Sequence, residues 1–114
     1  MRTKTIASLT MSLLCLALSP LAQAQDKTQS AGGKEALYTK SLAATCANCH
    51  GTNGKVVEGS SVTSLAGLDK NHIVAQMKAF KSGTRPATVM HQISKGYSDV
   101  QIESLAAYFA AQKK

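Results

Sequence analysis

The stretch Cys46-Ala47-Asn48-Cys49-His50-Gly51, CANCHG in one-letter code, decides how this chain is read. Three chemistries use two thiols separated by two residues: a redox disulfide, half of a zinc site, and covalent haem attachment. Only the last requires a histidine directly after the second cysteine. A redox pair of the thioredoxin kind would follow a strand and open a helix inside an α/β pattern. Here the pair closes a segment of good helix formers. A zinc site would need two more ligands at sensible spacing, and only His72 and His91 remain. In the attachment reading, Cys46 and Cys49 bind the porphyrin vinyl groups as thioethers and His50 offers its imidazole to the iron. Gly51 is then expected to let the backbone leave the helix without a side chain against the ring.

The amino terminus supplies the compartment. Arg2 and Lys4 precede a mostly apolar run over 6–18, and Ala22-Gln23-Ala24 has the small-x-small form that signal peptidase accepts. Residues 1–24 therefore read as a cleaved secretory signal, and Cys15 leaves with it. As a membrane anchor the run falls short of the roughly 20 apolar residues a spanning helix needs. Export places Cys46 and Cys49 in an oxidising space, the periplasm, but a disulfide across two intervening residues would staple little of the fold.

Composition narrows the partners. The 114-residue chain carries a formal net charge of +7, yet after the first few residues its bases are scattered and only Lys78, Lys81 and Arg85 form a local group of three. With no Trp, two Phe and three Tyr there is no platform on which nucleobases could stack, which argues against nucleic acid. The same scarcity of aromatic bulk leaves a small domain short of core, and a large apolar cofactor would fill it.

Along the chain, residues 25–33 (QDKTQSAGG) read as a flexible lead-in, and the domain proper as 34–114. A helix is predicted over 34–46. The Gly-rich stretch 51–68 follows as a long loop, of the kind that usually wraps something. A second helix is predicted over 69–81, with Asp69 as a possible cap and Ile73, Met77 and Phe80 on one stripe. Met90 then falls in an irregular connection. Ser98-Asp99-Val100-Gln101 matches a capping box, opening a last helix with Ile102, Leu105, Ala106 and Phe109 on its apolar face. The architecture is all-α, with about three main helices and a long loop.

Taken together, these landmarks resemble the class I c-type cytochromes over nearly all of the chain after the signal. The resemblance implies one covalently bound haem c in a small all-α globule whose first and last helices cross, so that Tyr38 and Leu42 would meet Ile102, Leu105 and Phe109. Met77, Met90, His72 and His91 are the candidates for the second axial ligand. Met77 sits on an apolar helical stripe, where methionine is more often core filling, and His72 falls on the polar side. Similarity to short bacterial cytochromes, which carry their ligand in a segment like TRPATVM, favours Met90, with His91 as the alternative. Many relatives also place a proline near position 63, whose carbonyl accepts a bond from the proximal histidine. This chain has Thr63 there.

A His/Met pair saturates the iron and leaves one-electron exchange as its chemistry. Segment 80–108 (FKSGTRPATVMHQISKGYSDVQIESLAAY) is similar to the haem subunit of flavocytochrome c sulfide dehydrogenase. That likeness implies a subunit, not catalytic alone, which accepts electrons from a sulfide-oxidising flavoprotein. The alternatives are a freely diffusing periplasmic carrier and a haem-based ligand sensor, the last requiring Met90 to be off the iron or easily displaced.

Overall fold

The computed structural model describes the backbone from Ala22 onward and the side chains from Ala31 onward. Most of the expected signal, 1–24, lies outside the described residues. Contacts divide the chain between Gly32 and Gly33, and the core belongs to the unit 33–114. Among the described residues four α-helices run in the order α1 (Ala22–His50), α2 (Lys70–Ser82), α3 (Met90–Ile93) and α4 (Asp99–Ala110), with 3-10 turns at Thr52–Gly54 and Ser94–Gly96. Among the described residues there is no strand. No helix among them is long and apolar enough to cross a membrane.

Helix α1 begins earlier than its sequence suggests. The stretch 25–33, expected as a flexible lead-in, is helical. Its glycines at 32 and 33 each cost about 1 kcal/mol relative to alanine, but neither removes a backbone donor. Once a helix is nucleated at its packed end, each added residue gains a hydrogen bond.

Helices α2 and α4 start where their sequences say. Asp69 caps α2 by accepting the backbone N–H of His72 at 2.9 Å. Gly83 ends α2 in the left-handed region. At α4 the capping box is complete: Ser98 Oγ accepts from the Gln101 N–H, and Gln101 Oε1 accepts from the Ser98 N–H.

The core is small. Ala43 of α1, Ile73 of α2, and Leu105, Ala106 and Phe109 of α4 form one buried cluster, with Leu42, Leu65, Leu68 and Met77 packed around it. The predicted face of α4 is buried along its length, since Ile102 joins the other three positions at 0–4% exposure. The expected partner face on α1 is shifted. Leu42 reaches the cluster, whereas Tyr38 stays half in solvent and meets α4 through its hydroxyl, which accepts from Gln101 Nε2 at 2.6 Å.

The long loop is tied at its neck. The Gly54 carbonyl accepts from the N–H groups of Leu65 and Ala66 and from Ser64 Oγ, at 2.7, 3.1 and 2.9 Å. The Gly67 N–H donates to the Phe109 carbonyl at 2.9 Å, fastening the loop to the end of α4. Gly54 itself is buried with φ 78°, and a Cβ there would lie 2.7 Å from Phe109 Cδ1 and 2.9 Å from Leu65 Cβ. Gly54→Ala is expected to lower the stability of the haem-loaded protein by about 2–4 kcal/mol, from left-handed strain and overpacking together. Gly96→Ala, where φ is not positive and a Cβ meets nothing within 4 Å, should fall within about 0.5 kcal/mol of the parent. Guanidinium unfolding of the two variants measures the contrast.

Candidate functional site

The last two turns of α1 bring Cys46, Cys49 and His50 to one end of the helix. Both cysteines are free thiols, Cys46 half-buried and Cys49 exposed. Burial pushes the Cys46 thiol above its ordinary range, partly offset by the nearby hydroxyls of Thr45 and Tyr97. His50 closes α1, and its Nδ1 lies 2.7 Å from the Thr63 carbonyl oxygen. A carbonyl can only accept, so Nδ1 carries the proton. Nε2 then keeps the ring's lone pair, as a metal-bound imidazole requires. The bond needs only a backbone oxygen, so Thr63 serves where the resemblance implies a proline.

The donor set therefore suits an iron porphyrin. Two free thiols sit one helical turn apart, the adjacent imidazole has its tautomer fixed, and half-buried apolar side chains such as Leu65, Leu68 and Val74 surround a core with little bulk of its own. Gly51 is the residue at which the backbone leaves α1. With φ 76°, a Cβ there would sit 2.0 Å from the carbonyl oxygen of Lys55, so the chain's own backbone demands the glycine.

Met90 is half-buried and opens α3, so the expected irregular connection contains one helical turn. Val89 provides the cap through its backbone, accepting the N–H groups of Gln92 and Ile93 at 2.9 and 3.1 Å. Ser94, fully buried, donates its hydroxyl to the Met90 carbonyl at 2.7 Å. His91 is half-buried with Nδ1 enclosed and without a hydrogen-bond partner. Met77 packs against the core cluster, as its apolar stripe implies, and His72 is exposed.

The basic group singled out in the sequence has partners inside the fold. Lys81 Nζ lies 2.8 Å from both the Tyr97 carbonyl and Asp99 Oδ1. Lys70 and Lys78 flank Glu103 at 3.0 and 4.0 Å. Arg85 stacks on the Phe80 ring, 4.6 Å from its centroid, and bonds Gln76. These side chains fasten α2 to α4 and close the turn after α2. Sequence reasoning missed this because Asp99 and Glu103 lie a helix away.

No family model matches the chain. Individual relatives do. It is 37% identical over 73 residues to the cytochrome subunit of sulfide dehydrogenase from Chlorobaculum tepidum, a match covering 64% of each chain. It is 38% identical over 68 residues to the thiosulfate dehydrogenase electron acceptor of Stutzerimonas stutzeri, covering 57% of this chain and 31% of that protein. Over 72 residues it is 32% identical to cytochrome c-554(548) of Halomonas halodenitrificans, covering 60% of this chain and 86% of the relative. The chain thus spans just under two thirds of the first relative and about a third of the second.

The hydrogen bond and charge of Lys81 lower the pKa of Asp99 from its ordinary value. A carboxyl depressed in the folded state contributes stability above its unfolded pKa of about 3.9 and loses it as pH falls through the folded value. Asp99→Asn should therefore be less stable than the parent at neutral pH, with the gap closing below about pH 4. Denaturant midpoints taken at several pH values test this.

Proposed function

Because the chain belongs to the class I c-type cytochromes, we propose that it is a periplasmic haem subunit accepting electrons from a sulfide-oxidising flavoprotein. As a family member it carries covalently bound haem c and works in electron transfer among redox proteins. Bound haem supplies a one-electron couple. Sulfide gives up electrons in pairs, so a flavin that takes two must release them singly to such a centre.

In this reading Cys46 and Cys49 hold the porphyrin by thioethers, and His50 Nε2 and Met90 are the axial ligands. The observation that supports it best is the bond from His50 Nδ1 to Thr63. It holds the imidazole plane and raises its basicity as a ligand. Met90 is favoured over Met77 because Met77 is already packed against the core.

The sulfide partner rests on the similarity to a cytochrome subunit of sulfide dehydrogenase. A second reading, a freely diffusing carrier, is favoured by the likeness to the thiosulfate dehydrogenase electron acceptor and to cytochrome c-554(548). A permanent subunit would bury a larger and more apolar surface than a carrier that docks and leaves.

Oxidised protein is expected to show the weak long-wavelength sulfur-to-iron band. Met90→Ala should abolish it. Met77→Ala should keep it and cost about 2–5 kcal/mol of stability through a cavity; the reverse pattern would move the ligand to Met77. For the partner, native extract is run by gel filtration at low and high salt. Coelution of haem with flavin in both buffers, with sulfide-dependent haem reduction, is the expected result. Haem eluting alone at the monomer position in both would reject the subunit and leave the carrier.

A further inference from the structure

Two hydroxyl groups from distant parts of the chain meet beside the attachment turn. Thr45 Oγ1 and Tyr97 Oη lie 2.7 Å apart, across 52 positions of sequence. Their donor roles follow from the neighbours. Thr45 Oγ1 also lies 2.7 Å from the Leu42 carbonyl, which can only accept, so the threonine proton is directed there. Tyr97 is therefore the donor to Thr45 Oγ1. The same threonine oxygen lies 4.0 Å from Cys46 Sγ.

The two ends of this bond belong to the two halves of the proposed iron site. Thr45 directly precedes Cys46, in the helix that ends at His50. Tyr97 follows the 3-10 turn Ser94–Gly96 that continues α3, whose first residue is Met90. Its backbone is held too, since its carbonyl accepts from Lys81 Nζ at 2.8 Å. Its ring packs against the core cluster. Tyr97 is thus fixed by ring, carbonyl and hydroxyl, and the hydroxyl reaches the opposite half of the site.

We infer that the Tyr97–Thr45 hydrogen bond is a latch that holds the Met90 segment against the attachment turn, making Tyr97 a positioning residue for the axial methionine. This rests on the Met90 assignment. A saturated iron binds an external ligand only after its methionine leaves, so the latch governs how readily imidazole enters. The α3 turn has only four residues and is too short to hold its own position. Loss of one fixed end should therefore be felt at Met90.

The test is a double-mutant cycle on the haem-loaded ferric protein, read by imidazole association and by the sulfur-to-iron band. Tyr97→Phe keeps the ring and removes only the hydroxyl. Tyr97→Phe and Thr45→Val should each raise the imidazole association rate by about three- to tenfold, the range expected of one hydrogen bond. The double variant should do no more than either single one, because both remove the same interaction. Thr45→Ser, which restores the acceptor, should return the rate to that of the parent. An unchanged rate in Tyr97→Phe, or additive effects in the double variant, would overturn the latch. If the unsubstituted protein shows no sulfur-to-iron band, the Met90 assignment fails instead. The latch is then judged by hydrogen exchange at the Gln92 and Ile93 amides: faster exchange in Tyr97→Phe supports it, and unchanged exchange overturns it.

Discussion

The carbonyl oxygen of Gly54 governs the arrangement around the attachment turn. By accepting from Leu65, Ala66 and Ser64 it draws the far end of a long loop back to the residues just after His50. Thr63 is the next residue back along the returning chain, and its own carbonyl is thereby delivered to His50 Nδ1. The His50 imidazole is held by a loop closure and not by its own helix. Closing such a loop has an entropic cost that grows only slowly with its length, and three hydrogen bonds at the neck offset it. The same neck presses Gly54 against Phe109, so the loop, the end of α4 and the histidine are set together.

A buried cluster of five residues, two of them alanines, provides little apolar area. At about 25 cal/mol per Å² the burial available to so small a domain leaves it marginal by itself. The polar ties between helices therefore carry more weight than they would in a larger fold. Lys81 on Asp99, Lys70 and Lys78 around Glu103, and Arg85 on Phe80 all act on the α2–α4 pair or the turn beyond it. Exposed pairs of this kind contribute little singly. Here they share partners and fasten the same two helices.

What the sequence made legible was local. The Asp69 cap, the Ser98–Gln101 capping box and the apolar face of α4 are each written within one or two turns of chain, and each has the form its residues imply. The His50 bond to the backbone at Thr63 was also legible, because the resemblance supplied the partner's position. What escaped was non-local or set by contacts a string does not display. The acidic partners of Lys78 and Lys81 lie on another helix, and the approach of the Lys55 carbonyl to Gly51 is set by the turn between them. Residues 25–33 looked like a lead-in because polar residues and two glycines weigh against a helix in isolation. Their composition did not reveal that α1 runs through them from its packed end.

The shortness of α3 explains why so many groups converge on it. A four-residue turn has too few internal hydrogen bonds to persist alone. Its geometry must be imposed from outside, and each of its flanks has a tether. Val89 caps it through its backbone, buried Ser94 grips the Met90 carbonyl, and Tyr97 is held at once by Lys81 and by Thr45. A thioether is a soft ligand without the ring N–H by which a hydrogen bond can orient an imidazole. His50 has its own ring proton with which to fix its plane, and Met90 has none. In the proposed ligation the burden of orienting Met90 therefore falls on the backbone that carries it, which is where this chain concentrates its tethers.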